Sequence, residues 1–323
     1  MHIDFLDNVS NIEDRIIHII EHEGYGTLHQ LIEPLQEDFE QKVICTHNLV
    51  NMKFIRKNVH YIIHTTGHLY PIISNLKLLL DNGVDVSIFL HVAPRYFYFK
   101  EKNVFLDYIC NIQRIYNLQC FCPANELTIQ YKKAGLHVKS IQLGFSEINV
   151  DLNSNNFLLD TYCGKYITVC TSSDPRYIDL KGINEFVDIM EKIDKKEEAL
   201  IFGFDGNYRG VKCKRLNLND FLYVLKNSNA YIQLSKTEAY NLTAVQAKRL
   251  KVPVLVSDID GHKDCMKYID NRLKNEQDFS EKLKLACNIE CIDRNYEDSN
   301  KRETLDNFII AIKNTIKGVK SYE

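Results

Sequence analysis

At 323 residues, 45% of them apolar and 26% charged, with a formal net charge of -3, the chain has the makeup of a globular protein long enough for two α/β domains. The near balance of charge excludes a strongly basic nucleic-acid surface, and no run approaches the roughly 18 apolar residues that a membrane span needs. No export signal is read at the start, so a cytoplasmic location is expected.

The ten cysteines are scattered. Cys120-x-Cys122 and Cys287-xxx-Cys291 lack the second pair and the histidines of a zinc site, so reduced thiols and no bound metal are expected. Ten of the eleven histidines precede residue 140, leaving only His262 in the second half. That asymmetry favours two chemically distinct domains.

Strand-like and helix-like segments alternate, the pattern of βαβ units. RIIHIIE (15–21) reads as a buried strand, and 24–39 as a helix with Leu28, Leu31, Ile32 and Leu35 at helical spacing. Strands are expected at 42–47, 58–66, 84–92 and 117–122, and helices at 69–83, 103–116 and 124–135, the last stopped by Gly135. The Asn- and Asp-rich stretch 148–160 reads as a linker.

The pattern then restarts, with strands at 165–171, 198–204, 230–234 and 252–257 and helices at 181–193, 218–228 and 242–251. A last helix is expected at 305–319, while the first eleven residues stay unassigned. The fold class is α/β, two Rossmann-like doubly wound parallel-sheet domains facing a cleft, with ligands expected outside the C-terminal ends of the strands.

Several residues fall at such ends. The strand AYIQL runs into SKTEAYN and a helix, which brings Glu238 to a helix entrance able to hold anions and hydroxyls. Gln246, eight residues on, shares that side if the helix begins early; otherwise Glu238 is an acid favoured by the helix dipole and Gln246 a surface residue. Arg176 and Lys181 follow the strand 165–171 and serve either as anion ligands or as surface charges. Glu23-Gly24-Tyr25-Gly26-Thr27 is either a close approach to a ligand or a tight turn. His91 ends one strand and His64 the preceding one; each is a site candidate or a satisfied core histidine. The loop 94–102 (PRYFYFKEK) suits an acceptor wall, a membrane-surface contact or a sheet edge.

Ser235, Glu238, Tyr240, Asn241, Leu242, Gln246, Ala247, Pro253, Val254, Asp258 and Gly261 together resemble the C-terminal motif of the retaining GT-B glycosyltransferases of the glycosyltransferase group 1 (family 4) superfamily. The chain departs from that motif at Asn241, Lys251 and Asp260, where glycine is usual, and at Gln246, where a second glutamate is usual. Arg176, Lys181 and Gly182 resemble the family's diphosphate-binding segment, with Ser172 in place of a glycine.

The resemblance implies an acceptor-side domain over 1–150 that ends with a strand and a turn at Gly144 in 138–147, a donor domain over 151–304, and a helix over 305–323 packing back on the first. It implies a retaining, metal-independent transfer of sugar from a nucleoside diphosphate sugar, a UDP-sugar favoured, to a hydroxyl of a sugar, lipid-linked or protein acceptor. No cofactor beyond that donor is implied. Arg176, Lys181, Gly26, Leu242 and Thr243 would bind the diphosphate, with Glu238, Asn241 and Gln246 on the sugar and ribose. His91 and Glu238 would line the reacting centre. Peripheral contact with the inner face of a membrane and a homo- or hetero-oligomer are compatible with this reading. The alternative is a non-catalytic GT-B partner subunit, which the changes at Asn241 and Gln246 would suit.

Overall fold

The computed structural model describes residues 16–20, 42–45, 59–65, 76–77, 79–94, 104–141, 157–257, 259, 262 and 272–273. The chain divides into two compact units, Met1–Ser146 with Lys301–Glu323, and Glu147–Asn300. The expected helix at 24–39, the loop at Gly26, the turn at Gly144, residues 95–102, Asp258, Asp260, Gly261, the Cys287 and Cys291 pair and the helix at 305–319 lie outside the described residues.

The N-terminal unit is built on six strands: β1 (Ile16–Ile20), β2 (Lys42–Cys45), β3 (His60–Thr65), β4 (Asp85–Leu90), β5 (Gln119–Cys122) and β6 (Lys139–Ser140). All pair in parallel, in the order β2-β1-β3-β4-β5-β6. Strands buried on both faces need near-continuous apolar sequence, and β3 and β4 are buried along all but their first residue. Helix α1 (Val104–Tyr116) buries Phe105, Leu106, Ile109, Cys110 and Ile112. Helix α2 (Asn125–Lys133) ends at Gly135, whose φ of 88° is the left-handed turn that stops a helix.

The C-terminal unit carries β7 (Tyr166–Val169), β8 (Ala199–Phe202), β9 (Gly206–Tyr208), β10 (Val211–Lys214), β11 (Ala230–Gln233), β12 (Val254–Ser257) and β13 (Arg272–Leu273). Their order is β13-β12-β11-β7-β8-β10-β9, parallel except for the β9–β10 hairpin. Its helices are α3 (Phe157–Asp160), α4 (Pro175–Leu180), α5 (Ile183–Lys192), α6 (Leu218–Lys226) and α7 (Leu242–Arg249). Helix α5 sets Ile183, Phe186, Val187, Ile189 and Met190 into a core shared with Ile201, Ile232 and Leu255. Each such side chain contributes about 1.5–3 kcal/mol by leaving water.

Four expectations change. The supposed linker contains α3, and the helix expected over 181–193, found as α5, is preceded across Lys181 and Gly182 by a helix that was not anticipated, α4. The hairpin at 206–214 was not anticipated, although its NYRG turn and the alternation of Val211 and Cys213 with two lysines carry the signal. Glu238 does not sit on a helix, because α7 starts at Leu242 with Asn241 as its cap. The eight-residue spacing to Gln246 therefore carries no helical phase.

Candidate functional site

In a doubly wound sheet, ligands bind beyond the C-terminal strand ends where the strand order reverses. In the C-terminal unit that point lies between β7, which continues to β8 on one side, and β11 on the other. The segments leaving these two strands bring Lys181 and Glu238 together as an ion pair, with side chains 21% and 13% exposed. Two charges so largely removed from water persist when each satisfies the other.

The approach of the two segments is built into the backbone. Asp174 caps α4 by accepting from the Arg176 amide at 2.9 Å, and Pro175 opens the helix. The helix ends at Lys181, and Gly182 turns the chain with φ of 64° and ψ of 33° to start α5. A Cβ on Gly182 would collide with the carbonyl of Leu234. Glycine is thus needed twice, for its left-handed backbone and for the close pass over the end of β11.

Polar side chains then stitch the junction. Gln233 donates from Nε2 to the Lys181 carbonyl at 2.8 Å and to Ser235 Oγ at 3.0 Å, while its Oε1 accepts from the Val169 amide at 3.3 Å. Ser235 Oγ donates to Glu238 Oε1 at 2.9 Å. The Lys236 amide donates to the Leu180 carbonyl at 2.8 Å.

Behind Glu238, the Tyr231 hydroxyl lies 3.0 Å from Gln233 Oε1 and 3.2 Å from Asn241 Oδ1. Asn241 Oδ1 accepts from the Ala244 amide at 3.0 Å, and its Nδ2 donates to His262 Nε2 at 3.0 Å. The other nitrogen, Nδ1, therefore carries the proton and donates to the Ser257 carbonyl at 2.9 Å. This neutral form suits a ring whose proton affinity is lowered chiefly by burial. Ser257 closes the circuit by donating to the Ser235 carbonyl at 2.5 Å.

The remaining expected residues separate. Arg176 is exposed and its guanidinium is held two-pronged by Asp174, at 3.0 Å from Nε to Oδ1 and 2.7 Å between the terminal nitrogen and Oδ2. Leu242 is buried and Thr243 half-buried in the first turn of α7, whose amides have no acceptor within the helix. The Asn241 side chain is spent on capping α7 and on His262. Gln246 is buried on that helix. Lys251, where glycine is usual in the motif, has φ of 61° and ends α7, its amide donating to the Lys248 carbonyl at 2.9 Å and that of Val252 to Ala247 at 2.9 Å. It keeps the left-handed turn of a helix stop without the glycine.

Sequence reasoning missed Gln233, Ser235 Oγ as a carboxylate partner, and His262. The signals were a glutamine inside an otherwise apolar strand and the lone histidine of the second half.

In the N-terminal unit, His91 follows β4 directly, its amide donating to the Thr65 carbonyl at 2.9 Å. The buried Tyr131 hydroxyl donates to the carbonyl of the next residue, Val92. The His91 ring stacks on Phe89 at 4.5 Å between centroids, and its Nε2 lies 2.8 Å from His64 Nδ1. Burial pulls its pKa down to about 3, so it is neutral. His64, the rival candidate, is its direct neighbour.

The fold is that of the GT-B glycosyltransferases, two doubly wound Rossmann-like units in one chain. Among solved structures, an α,α-trehalose-phosphate synthase (UDP-forming) from Burkholderia vietnamiensis aligns with a TM-score of 0.61 at 10% identity, covering 96% of this chain and 99% of that one. Anabaena HepE in complex with UDP aligns at 0.59 and 11% identity, covering 96% and 100%. The Escherichia coli protein bound with UDP-2-fluoro glucose aligns at 0.56 and 10%, covering 91% and 95%. No family model and no curated protein sequence matches the chain. Among the described residues, no helix is long and apolar enough to cross a membrane.

Proposed function

We propose that the chain is a glycosyltransferase that moves a sugar from a nucleoside diphosphate sugar, a UDP-sugar, to a hydroxyl acceptor with retention and without a metal. The observation that carries this reading is the Lys181–Glu238 pair beyond β7 and β11, next to the open first turn of α7. A donor offers what each partner lacks when the pair opens. The diphosphate takes the Lys181 ammonium and the amides of Leu242 and Thr243, and sugar hydroxyls donate to Glu238.

As the glycosidic bond breaks, negative charge grows on the departing diphosphate, where a fixed cation and a helix N-terminus stabilise it. Arg176 joins them if the donor displaces Asp174, and Gln246, a neutral amide, would contact the ribose without a carboxylate's charge. His91 hydrogen-bonds a sugar hydroxyl. In retention, the leaving phosphate accepts the acceptor's proton as the new bond forms on the same face.

The solved structures of this fold that hold UDP and UDP-2-fluoro glucose support a uridine donor. The test is a thermal-shift screen of uridine, guanosine and adenosine diphosphates and their sugars, followed by calorimetry. Lys181→Ala should weaken uridine diphosphate binding about 30-fold, the equivalent of about 2 kcal/mol for a lost charge-assisted contact. Unchanged affinity in a folded variant overturns the assignment.

One observation favours a second reading. The Asn241 side chain is consumed in capping, and Gln246 is neutral, as in a GT-B subunit that has stopped catalysing. Such a subunit would neither bind nor hydrolyse any donor of the screen.

A further inference from the structure

The register of the N-terminal sheet sets three imidazoles in a diagonal file. His18 on β1 pairs with Ile62 on β3, and His64 lies two residues beyond Ile62; His64 pairs with Phe89 on β4, and His91 lies two residues beyond Phe89. Paired residues share a face of a sheet, and so do residues two apart on one strand. Each step therefore moves one strand across and two residues forward on the same face, towards the C-terminal edge. The same diagonal joins His60 to Ser87, whose Nε2 and Oγ are 2.8 Å apart.

Both gaps in the file are closed by hydrogen bonds. His18 Nδ1 lies 2.8 Å from His64 Nε2, and His64 Nδ1 lies 2.8 Å from His91 Nε2. His18 and His64 are fully buried, at 0% and 1% exposure. At the end of the file, His91 Nδ1 is a buried atom with no hydrogen-bond partner among the described residues.

A neutral imidazole has one N–H and one lone pair. If His64 receives at Nε2 it must donate at Nδ1, and His91, receiving at Nε2, carries its proton on Nδ1. If His64 donates from Nε2, every ring reverses and His91 Nδ1 becomes a bare acceptor. The two senses differ by one proton gained at His91 Nδ1 and one lost at His18 Nε2, with a proton shifted across each gap between. A doubly protonated His64 would also fit both gaps, but it would bury a cation against two neutral rings. Burial first, and then the neighbouring His91 and His18, hold its proton affinity well below the ordinary value.

We propose that His18, His64 and His91 form one tautomer-coupled file, in which His18 and His64 are positioning residues that set whether His91 Nδ1 offers a proton or a lone pair to a hydroxyl-bearing ligand. That the hydroxyl belongs to a sugar rests on the glycosyltransferase reading; the coupling does not. A hydroxyl both donates and accepts, so it pairs with either sense, and the file then decides which way it points. His18 reaches the ligand only through His64.

The experiment is nitrogen-15 NMR of the full chain labelled at its histidine rings. In the wild type, His18, His64 and His91 should be neutral and protonated on the same nitrogen. In His18→Phe, the single-tautomer signature of His91 should be lost, although the two rings do not touch. His18→Gln, which keeps a donor and an acceptor at that position, should restore a single sense. Opposite tautomers on His64 and His91, a cationic His64, or a His91 signal indifferent to His18→Phe in a folded chain would overturn the proposal. The wild-type spectrum decides the first two points even if the variants do not fold. Coupled tautomers together with failure to bind any nucleoside diphosphate would leave the file standing and sink the transferase.

Discussion

Acidification should weaken the N-terminal unit through His91 by an amount that can be worked out beforehand. An unfolded histidine titrates near 6.5, whereas burial holds folded His91 down to about 3. Among the described residues its ring meets those of His64 and Phe89, neither of them an anion. Below pH 6.5 the unfolded chain takes up a proton that the folded chain refuses. The stability tied to the neutral ring is therefore complete above the unfolded pKa and is lost as pH falls towards the folded one.

The slope is about 1.4 kcal/mol per pH unit, which integrates to about 2 kcal/mol between pH 7 and pH 5 for His91 alone. His64 acts in the same direction. The chain has no tryptophan, so urea unfolding is followed by circular dichroism and tyrosine fluorescence, with hydrogen exchange on β3 and β4 assigning the transition to this unit. His91→Asn should lose about 2 kcal/mol less than the wild type over the same interval. An identical pH dependence in the two proteins would show that the ring is charged or exposed in the fold, and would refute the reasoning.

Two further outcomes concern the backbone of the C-terminal unit. Gly182→Ala should destabilise it by about 3 kcal/mol, combining the left-handed penalty of about 1–2 kcal/mol with overpacking of about 1–3 kcal/mol against Leu234; a loss below about 1 kcal/mol in urea unfolding would mean that the close pass is absent. Lys251→Gly should stabilise by about 0.5–1 kcal/mol, since relief of the left-handed side chain outweighs the added freedom of glycine, and calorimetry should show the melting temperature rise by about 1–4 °C. A fall in melting temperature would count against the φ of 61° at Lys251.

The doubly wound architecture was legible because parallel strands buried on both faces must be written as apolar runs, as in YIIHT of β3 and DVSIFL of β4. What sequence could not show was how polar residues inside those runs are spent. His18, His64 and Gln233 break the apolar rule singly, and only register and topology tell which neighbours satisfy them. Helix α4 was missed for a similar reason. Its six residues, PRYIDL, are too few to show a helical period, while the turn that ends it is dictated by a carbonyl just beyond β11, more than fifty residues later, that of Leu234. Asn241 looked like a lost glycine and proves to be a helix cap, because capping depends on where the helix starts.

Gly182 also bears on how this protein could be re-engineered. Because its backbone lies against Leu234, and Gln233 grips the carbonyl of Lys181, the segment carrying the cation and the segment carrying the carboxylate behave as one part. Grafting either segment alone from another chain would import a residue or a bend that the other cannot accept. Exchange of specificity would succeed only if 174–182 and 233–241 were transplanted together, as a matched pair.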